Sequence, residues 1–423
     1  MLSEIQNNKK TNLLALLSVC LFVITGFFAI NSWLIFMLPI VTIFYVYDYK
    51  HKSEYQKQFT FSFLDYFLYA ICLVEIVCCI TSIYKPNSIS FTLKILLLGV
   101  FYYFIQTFLC FSSQLMIINK LIALLSGLLS LITICWFYIH RDIMIDSGFQ
   151  DLTNYRLFFQ PFGVISNDWS SILICLLPFS IVSAMEENKR FYSLFVFTGL
   201  FNTIAILICL SRGAILSVIL FFIVSLIITF VYHKIKIKKL ISIYSLILLG
   251  ALIFTFPIKN SLVTTFAMNK TVSQQRSING RFQNWKESID LFKLHPITGV
   301  GSGNYALASD SYSLKKQDSF SFRSTNTFLQ ILVERGMLGF IIYVELFIYI
   351  IYNSLRKINE VNWYSVIFLT AIISILFRDM TFSTFFERDM ILVLFILILT
   401  NLNKQKDEME YEIFGASKQS SNS

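Results

Sequence analysis

Along this chain, apolar runs of about the length needed to cross a bilayer alternate with short charged clusters. The runs begin near Thr11, Ser32, Thr60, Phe91, Leu121, Trp169, Phe191, Gly213, Leu240, Met337, Asn362 and Asp389. They predict an all-α polytopic integral membrane protein with about twelve transmembrane helices. The last run is the shortest, its apolar stretch reaching only from Met390 to Thr400. Residues 1–402 read as a single membrane domain, and the polar tail 403–423 as a disordered cytoplasmic segment.

Charge then assigns the two sides. One set of connections carries Lys9, Lys10, Lys50, Lys52, Lys57, Lys120, Lys189, Arg190, the HKIKIKK cluster at 233–239, Arg356 and Lys357. The opposite short loops carry far fewer cations. The excess of Lys and Arg marks the first set as cytoplasmic, so both termini are expected inside, as in a bacterial cytoplasmic membrane protein. HKIKIKK reads as a topology anchor facing anionic lipid. Two polar segments fall on the outer side, from His140 to about Asp168 and from about Lys259 to Arg335. The second lies between the ninth and tenth predicted spans. A long polar loop among otherwise tight connections is usually functional.

Composition narrows the chemistry. Hydrophobic residues make up 56% of the 423 and charged residues 14%. The net charge of +9 is explained by cytoplasmic anchoring, so nucleic acid is not an expected partner. The eight cysteines all lie in or beside apolar runs, which argues against a disulfide framework or a thiolate zinc site. The four histidines show no metal-ligand spacing, and no Asp-x-Asp pair occurs on the outer side. No metal and no cofactor are expected. The opening apolar run lacks a small-residue cleavage site and reads as a first span rather than a signal peptide.

Several outer residues could do chemistry. Arg212, in SRGAIL, sits where the seventh span meets the outside and the eighth begins. It faces a polar cavity or an anionic ligand, or else it snorkels to headgroups. Arg276, Arg281, Arg323, Arg378 and Arg388 share that outer side. Guanidinium groups suit two-pronged binding of phosphate, so a lipid pyrophosphate fits the outer surface. In the large loop, RFQNWKESIDLFKL sets Phe282, Trp285, Ile289 and Phe292 on one helical face. His295-Pro296 ends that helix, and TGVGSGNY reads as a tight glycine turn. Candidate proton acceptors are Glu334, Asp290, His295, Glu387 and Asp379. Glu75 and Glu345 fall inside spans, with Lys94 a candidate partner for Glu75.

Together, three segments resemble the O-antigen ligase and polymerase superfamily, which includes the Wzy-type polysaccharide polymerases. They are SRGAILSVILFFIV at 211–224, RFQNWKESIDLFKLHPITGVGSGNY at 281–305 and TNTFLQILVERGMLGFIIYVELF at 325–347. FGVISNDWSSILICLLPFSI at 162–181 is a looser match. The resemblance implies a GT-C-like, metal-independent membrane glycosyltransferase acting on undecaprenyl-pyrophosphate-linked oligosaccharide. It assigns donor pyrophosphate contacts to Arg212 and Arg281. Asn326 and Glu334 complete the expected catalytic set, and Arg323, Asn304 and Asn167 the expected substrate contacts. Where the family's ligases carry a His-Asn pair, this chain has Thr325-Asn326, and threonine is no base near neutral pH. That departure favours a polymerase of capsule, exopolysaccharide or O-antigen repeats over a ligase. Membrane lipid and a chain-length regulator protein are the further expected partners. A flippase or transporter is the alternative from another class, but the two halves show no repeat of interrupted helices.

Overall fold

The computed structural model describes residues 63–108, 112–140, 159–187, 191–232, 234–256, 272–316, 324–358, 363–386 and 391–402. The runs beginning near Thr11 and Ser32, the tail, and Arg323, Glu387 and Arg388 lie outside them; Arg276 falls within the helix that begins at Val272.

Each of the ten remaining apolar runs is a helix. In chain order these are α1 (Phe63–Thr81), α2 (Lys85–Phe108), α3 (Ser112–Ile139), α4 (Ser166–Glu186), α5 (Tyr192–Ile208), α6 (Arg212–Tyr232) and α7 (Lys234–Thr255). The large loop contributes α8 (Val272–Leu294) and α9 (Tyr305–Lys316). Then come α10 (Thr327–Lys357), α11 (Trp363–Asp379) and α12 (Ile391–Leu402). No strand occurs among the described residues. Five stretches are long and apolar enough to span a membrane: α1, α4, α6, Leu115–Ile139 within α3 and Ile237–Thr255 within α7. The chain is a polytopic membrane protein. Apolar residues such as Leu73, Phe230 and Leu252 point outward from their helices, the surface a bilayer would solvate.

At the centre stands α4, packed against α3, α5 and α11. Ser170, Ser171, Ser180, Ser183 and Ala184 are all buried along it. Small side chains let neighbouring backbones approach closely, which is how apolar helices associate where water supplies no driving force. The two ends of α4 meet different cations. Its start meets Arg378, whereas at its far end Lys120 pairs with Glu187 at 2.5 Å and Lys239 donates to the carbonyls of Met185 and Glu187.

One helix is broken. In α10, Gly336 adopts φ 62° and ψ −165°, a conformation essentially restricted to glycine. A break frees backbone groups that must find partners away from water. The segment after α8 supplies them. Val300 N–H donates to Val333 O and Gly301 N–H to Glu334 O, both at 2.9 Å. On the other side of the break, Met337 N–H donates to Pro296 O and Leu338 N–H to Ile297 O. The glycine-rich turn is therefore a ladder against an opened helix. Gly299, Gly301 and Gly303 all have positive φ, and a Cβ on Gly301 would lie 2.4 Å from Ser82 Oγ. Gly336→Ala would set its Cβ 2.3 Å from Ile297 O. We expect that variant to lose about 3 kcal/mol, read as a lower midpoint in thermal unfolding of the solubilised protein; an unchanged midpoint would remove the break from the list of structural determinants.

Beside the break lies a fully buried ionic cluster. Arg335 Nε donates to Glu75 Oε1 at 2.5 Å and Arg335 Nη1 to Glu334 Oε2 at 3.1 Å. Ser302 and Tyr343 hydroxyls also donate to Glu75. The rings of Phe386, Phe91 and Tyr343 surround the guanidinium at 4.3, 5.0 and 5.3 Å. Glu75 is thus paired with Arg335, across the fold, and Lys94 lies 5.6 Å from the centroid of the Phe91 ring. Glu345 is exposed on the outer face of α10.

Candidate functional site

Arg212 owes its place to a tight reversal between α5 and α6. Leu210 takes φ 49°, left-handed for a residue with a γ-branched side chain. Such strain persists only where the surroundings enforce it, and it concentrates at functional sites. Here Arg378, at the end of α11, does the enforcing. Its Nη2 donates to Ser211 Oγ and to Asn167 O, each at 3.3 Å, and its Nη1 donates to Thr381 Oγ1. Gly213 leaves room for this clamp, since a Cβ there would meet Arg378 Nη1 at 3.1 Å. Arg212 is consequently the first residue of α6. A cation at a helix N-terminus opposes the helix dipole, so an anion in the same place is favoured by both.

Arg281, on α8, is half-buried like Arg212. Burial, and then the Arg212 guanidinium, hold Arg281 below the ordinary guanidinium value. The two groups therefore lie within each other's field although they belong to separate elements. Neither is ion-paired among the described residues.

The face of α8 turned inward is its polar one. Asn284, Glu287, Ser288 and Leu291 are buried, while Phe282 and Ile289 stand exposed. The amphipathic helix is present, but its apolar stripe is split: Phe282 and Ile289 face out, whereas Trp285 and Phe292 are half-buried, Phe292 against the small apolar cluster of Leu291, Val300, Tyr305, Ala308 and Val333. Beside that cluster runs a hydrogen-bonded network. Asn284 Oδ1 accepts from Thr325 N–H and Thr325 Oγ1, both at 3.0 Å. Asn284 Nδ2 donates to Tyr305 OH at 3.0 Å, and Ser288 Oγ lies 2.8 Å from the same phenol. Burial pushes the Tyr305 phenol up to about 12, so it keeps its proton. Ser309 donates to Glu287 at 2.6 Å.

The other residues singled out in the sequence are engaged as follows. Asn326 caps α10, its side chain accepting from Phe328 N–H and Leu329 N–H. Glu334 is 1% exposed and accepts from Arg335, Gln330 and the Tyr305 N–H. Asn304 is fully buried and donates to Ser82, Ser88, Tyr84 O and Val300 O, tying the glycine turn to the α1–α2 connection. Asn167 is half-buried, with its carbonyl taken by Arg378, Ser170 and Ser171. Asp290 is bonded to Lys293 and Tyr312, Asp379 accepts twice from Thr384, and His295 is exposed beyond α8. Among the described residues no three His, Cys, Asp or Glu side chains cluster as metal ligands would. Arg378, Asn284 and Thr325 are the residues that sequence reasoning passed over as site members. Arg378 was one outer arginine among several, and its contact with Ser211 spans 167 residues.

The fold defines a polytopic helical membrane protein, and the half-buried Arg212 and Arg281 are its candidate cationic site. Residues 195–344 match the family model described as O-Antigen ligase, and that segment belongs to the O-antigen ligase/polymerase superfamily, whose members are membrane enzymes of glycosyltransferase or ligase type. The match contains Arg212, Arg281, Thr325 and the break at Gly336; Glu75 and Arg378 lie outside it. No curated protein matches the chain.

Proposed function

We propose that the chain is a polymerase that joins undecaprenyl-pyrophosphate-linked oligosaccharide repeats at the outer face of the cytoplasmic membrane, building a capsule, exopolysaccharide or O-antigen. The observation that carries this reading is the pair Arg212 and Arg281, two guanidinium groups held in each other's field with no carboxylate ion-paired to either among the described residues. Like charges brought together out of bulk water cost free energy that a bound anion repays. A diphosphate at the membrane interface supplies two or more negative charges and the oxygens for bidentate contact.

The step transfers a glycosyl group. A hydroxyl of the acceptor repeat attacks the anomeric carbon of the donor, a new carbon–oxygen bond forms, and the bond to the pyrophosphate oxygen breaks. The lipid pyrophosphate leaves with the electron pair and receives the hydroxyl proton. Arg212 and Arg281 stabilise the charge that develops on the leaving oxygens, in the manner of preorganised donors. Asn167, at the start of α4, and Asn326, at the start of α10, border the site in this reading, and a chain-length regulator acts beside it. The site end of α4 faces outward in this reading, with the lysine-rich end in the cytoplasm.

Thr325 supports polymerase over ligase, whereas the family description itself names a ligase. Deleting the gene separates them. We expect single repeat units on the surface acceptor lipid where wild-type cells carry long chains, read on a glycan gel. Full-length polymer left unattached to its acceptor would make the chain a ligase instead, and repeats trapped on the cytoplasmic side would make it a transporter.

A further inference from the structure

The polarity of one hydroxyl is fixed by its neighbours. Thr325 N–H can only donate, so the Asn284 atom facing it is the amide oxygen. That oxygen can only accept, so Thr325 Oγ1, also 3.0 Å away, must give it its proton. The opposite edge of the same amide donates to Tyr305 OH, which passes its own proton to Ser288 Oγ, and Ser288 donates to Asn284 O at 2.7 Å. Every donor in this chain has a single direction. Thr325 is left with lone pairs and no proton to offer, on a side chain that is half-buried rather than sealed.

Place matters as much as polarity. Arg281 and Asn284 are three residues apart on α8, so they share a face and are separated by about 4.5 Å along the axis. Thr325 is bonded to Asn284 and so lies next to the helix that carries Arg281.

From this the geometry points to Thr325 Oγ1 as a substrate contact: it accepts a hydrogen bond from the attacking hydroxyl of the incoming glycan, a neutral polyol, and Asn284 is the positioning residue that makes it an acceptor. Resting on the polymerase reading, the inference adds where the acceptor sugar binds and how its hydroxyl is turned. With its O–H aimed at Thr325, the nucleophilic oxygen presents a lone pair to the anomeric carbon of a donor whose diphosphate sits at Arg281. Thr325 takes no proton: as the new carbon–oxygen bond forms and the donor bond breaks, the proton leaves the contact with Thr325 and ends on the released pyrophosphate.

The test uses full-length protein in nanodiscs, lipid-linked repeat units extracted from a strain lacking the gene, and undecaprenyl pyrophosphate as the binding probe. Thr325→Val and Thr325→Ala should lower elongation at limiting acceptor by about tenfold, the scale of one hydrogen bond. Thr325→Ser, which keeps the hydroxyl, should recover most of the rate, and all three should bind undecaprenyl pyrophosphate like the wild type. Wild-type elongation in the valine or alanine variant overturns the inference. So does a parallel loss of undecaprenyl pyrophosphate binding, which would make Thr325 part of the donor site or of the fold. If the wild-type protein itself binds no undecaprenyl pyrophosphate, the failure is of the polymerase reading, and the acceptor contact falls with it.

Discussion

Arg212→Ala and Arg281→Ala should each lower polymer synthesis by at least about 100-fold, the loss seen when one preorganised donor to a developing negative charge is removed. The two side chains start from unfavourable positions: one opposes a helix dipole, and the other is half-buried within reach of a like charge. Neither arrangement stabilises the empty protein, so removing either group should leave insertion and folding intact or slightly improved. Lysine should rescue poorly, because a point charge lacks the planar fork that engages two phosphate oxygens. Polymer measured per unit of inserted protein is the readout. Near-normal synthesis in either variant would take that arginine out of the site.

The second large effect concerns stability. Glu75→Ala should cost roughly 3–5 kcal/mol, because it strands a buried guanidinium. Arg335 is 0% exposed and, among the described residues, keeps only Glu334 as an ion-pair partner once Glu75 is gone. Replacing both members with apolar residues of similar volume, as in Glu75→Leu with Arg335→Met, should recover much of that loss, since desolvating the pair is itself costly. Thermal unfolding of the solubilised protein distinguishes these outcomes. A Glu75→Ala midpoint equal to wild type, or a double variant worse than the single, would show that the pair does not act as described.

These two predictions mark where sequence reasoning reached and where it stopped. Helix positions were legible because apolar character over about 20 residues is a local property. The helices at α4, α6 and α10 begin within a few residues of the runs that start near Trp169, Gly213 and Met337, except that α10 also takes in the piece from Thr327. Arg212 and Arg281 were legible as candidates because a charge beside an apolar run is conspicuous. What joins distant residues was not. Lys94 is the first cation after Glu75 to fall within an apolar run, yet the partner is Arg335, brought in by the folding of α10 against α1. Asn326 illustrates a signal that was present: an Asn directly before an apolar period is an N-cap, and its oxygen serves the first turn of α10. Asn304 gave no such hint, because its four acceptors come from the α1–α2 connection, the first turn of α2 and its own turn. The hydrogen-bond polarity at Thr325 depends on α8, α9 and the α10 entrance together, and no period or spacing encodes that.

The Glu75–Arg335 contact joins residues 260 positions apart. At ribosomal speeds of roughly 5–20 residues per second, the carboxyl enters the membrane tens of seconds before its guanidinium is synthesised. The turn at 296–301 is likewise translated ahead of the opened carbonyls it must meet at 333 and 334. Biogenesis of this protein therefore has a late step, in which the tenth helix closes the ladder and neutralises an acid that has been waiting since the first described helix emerged.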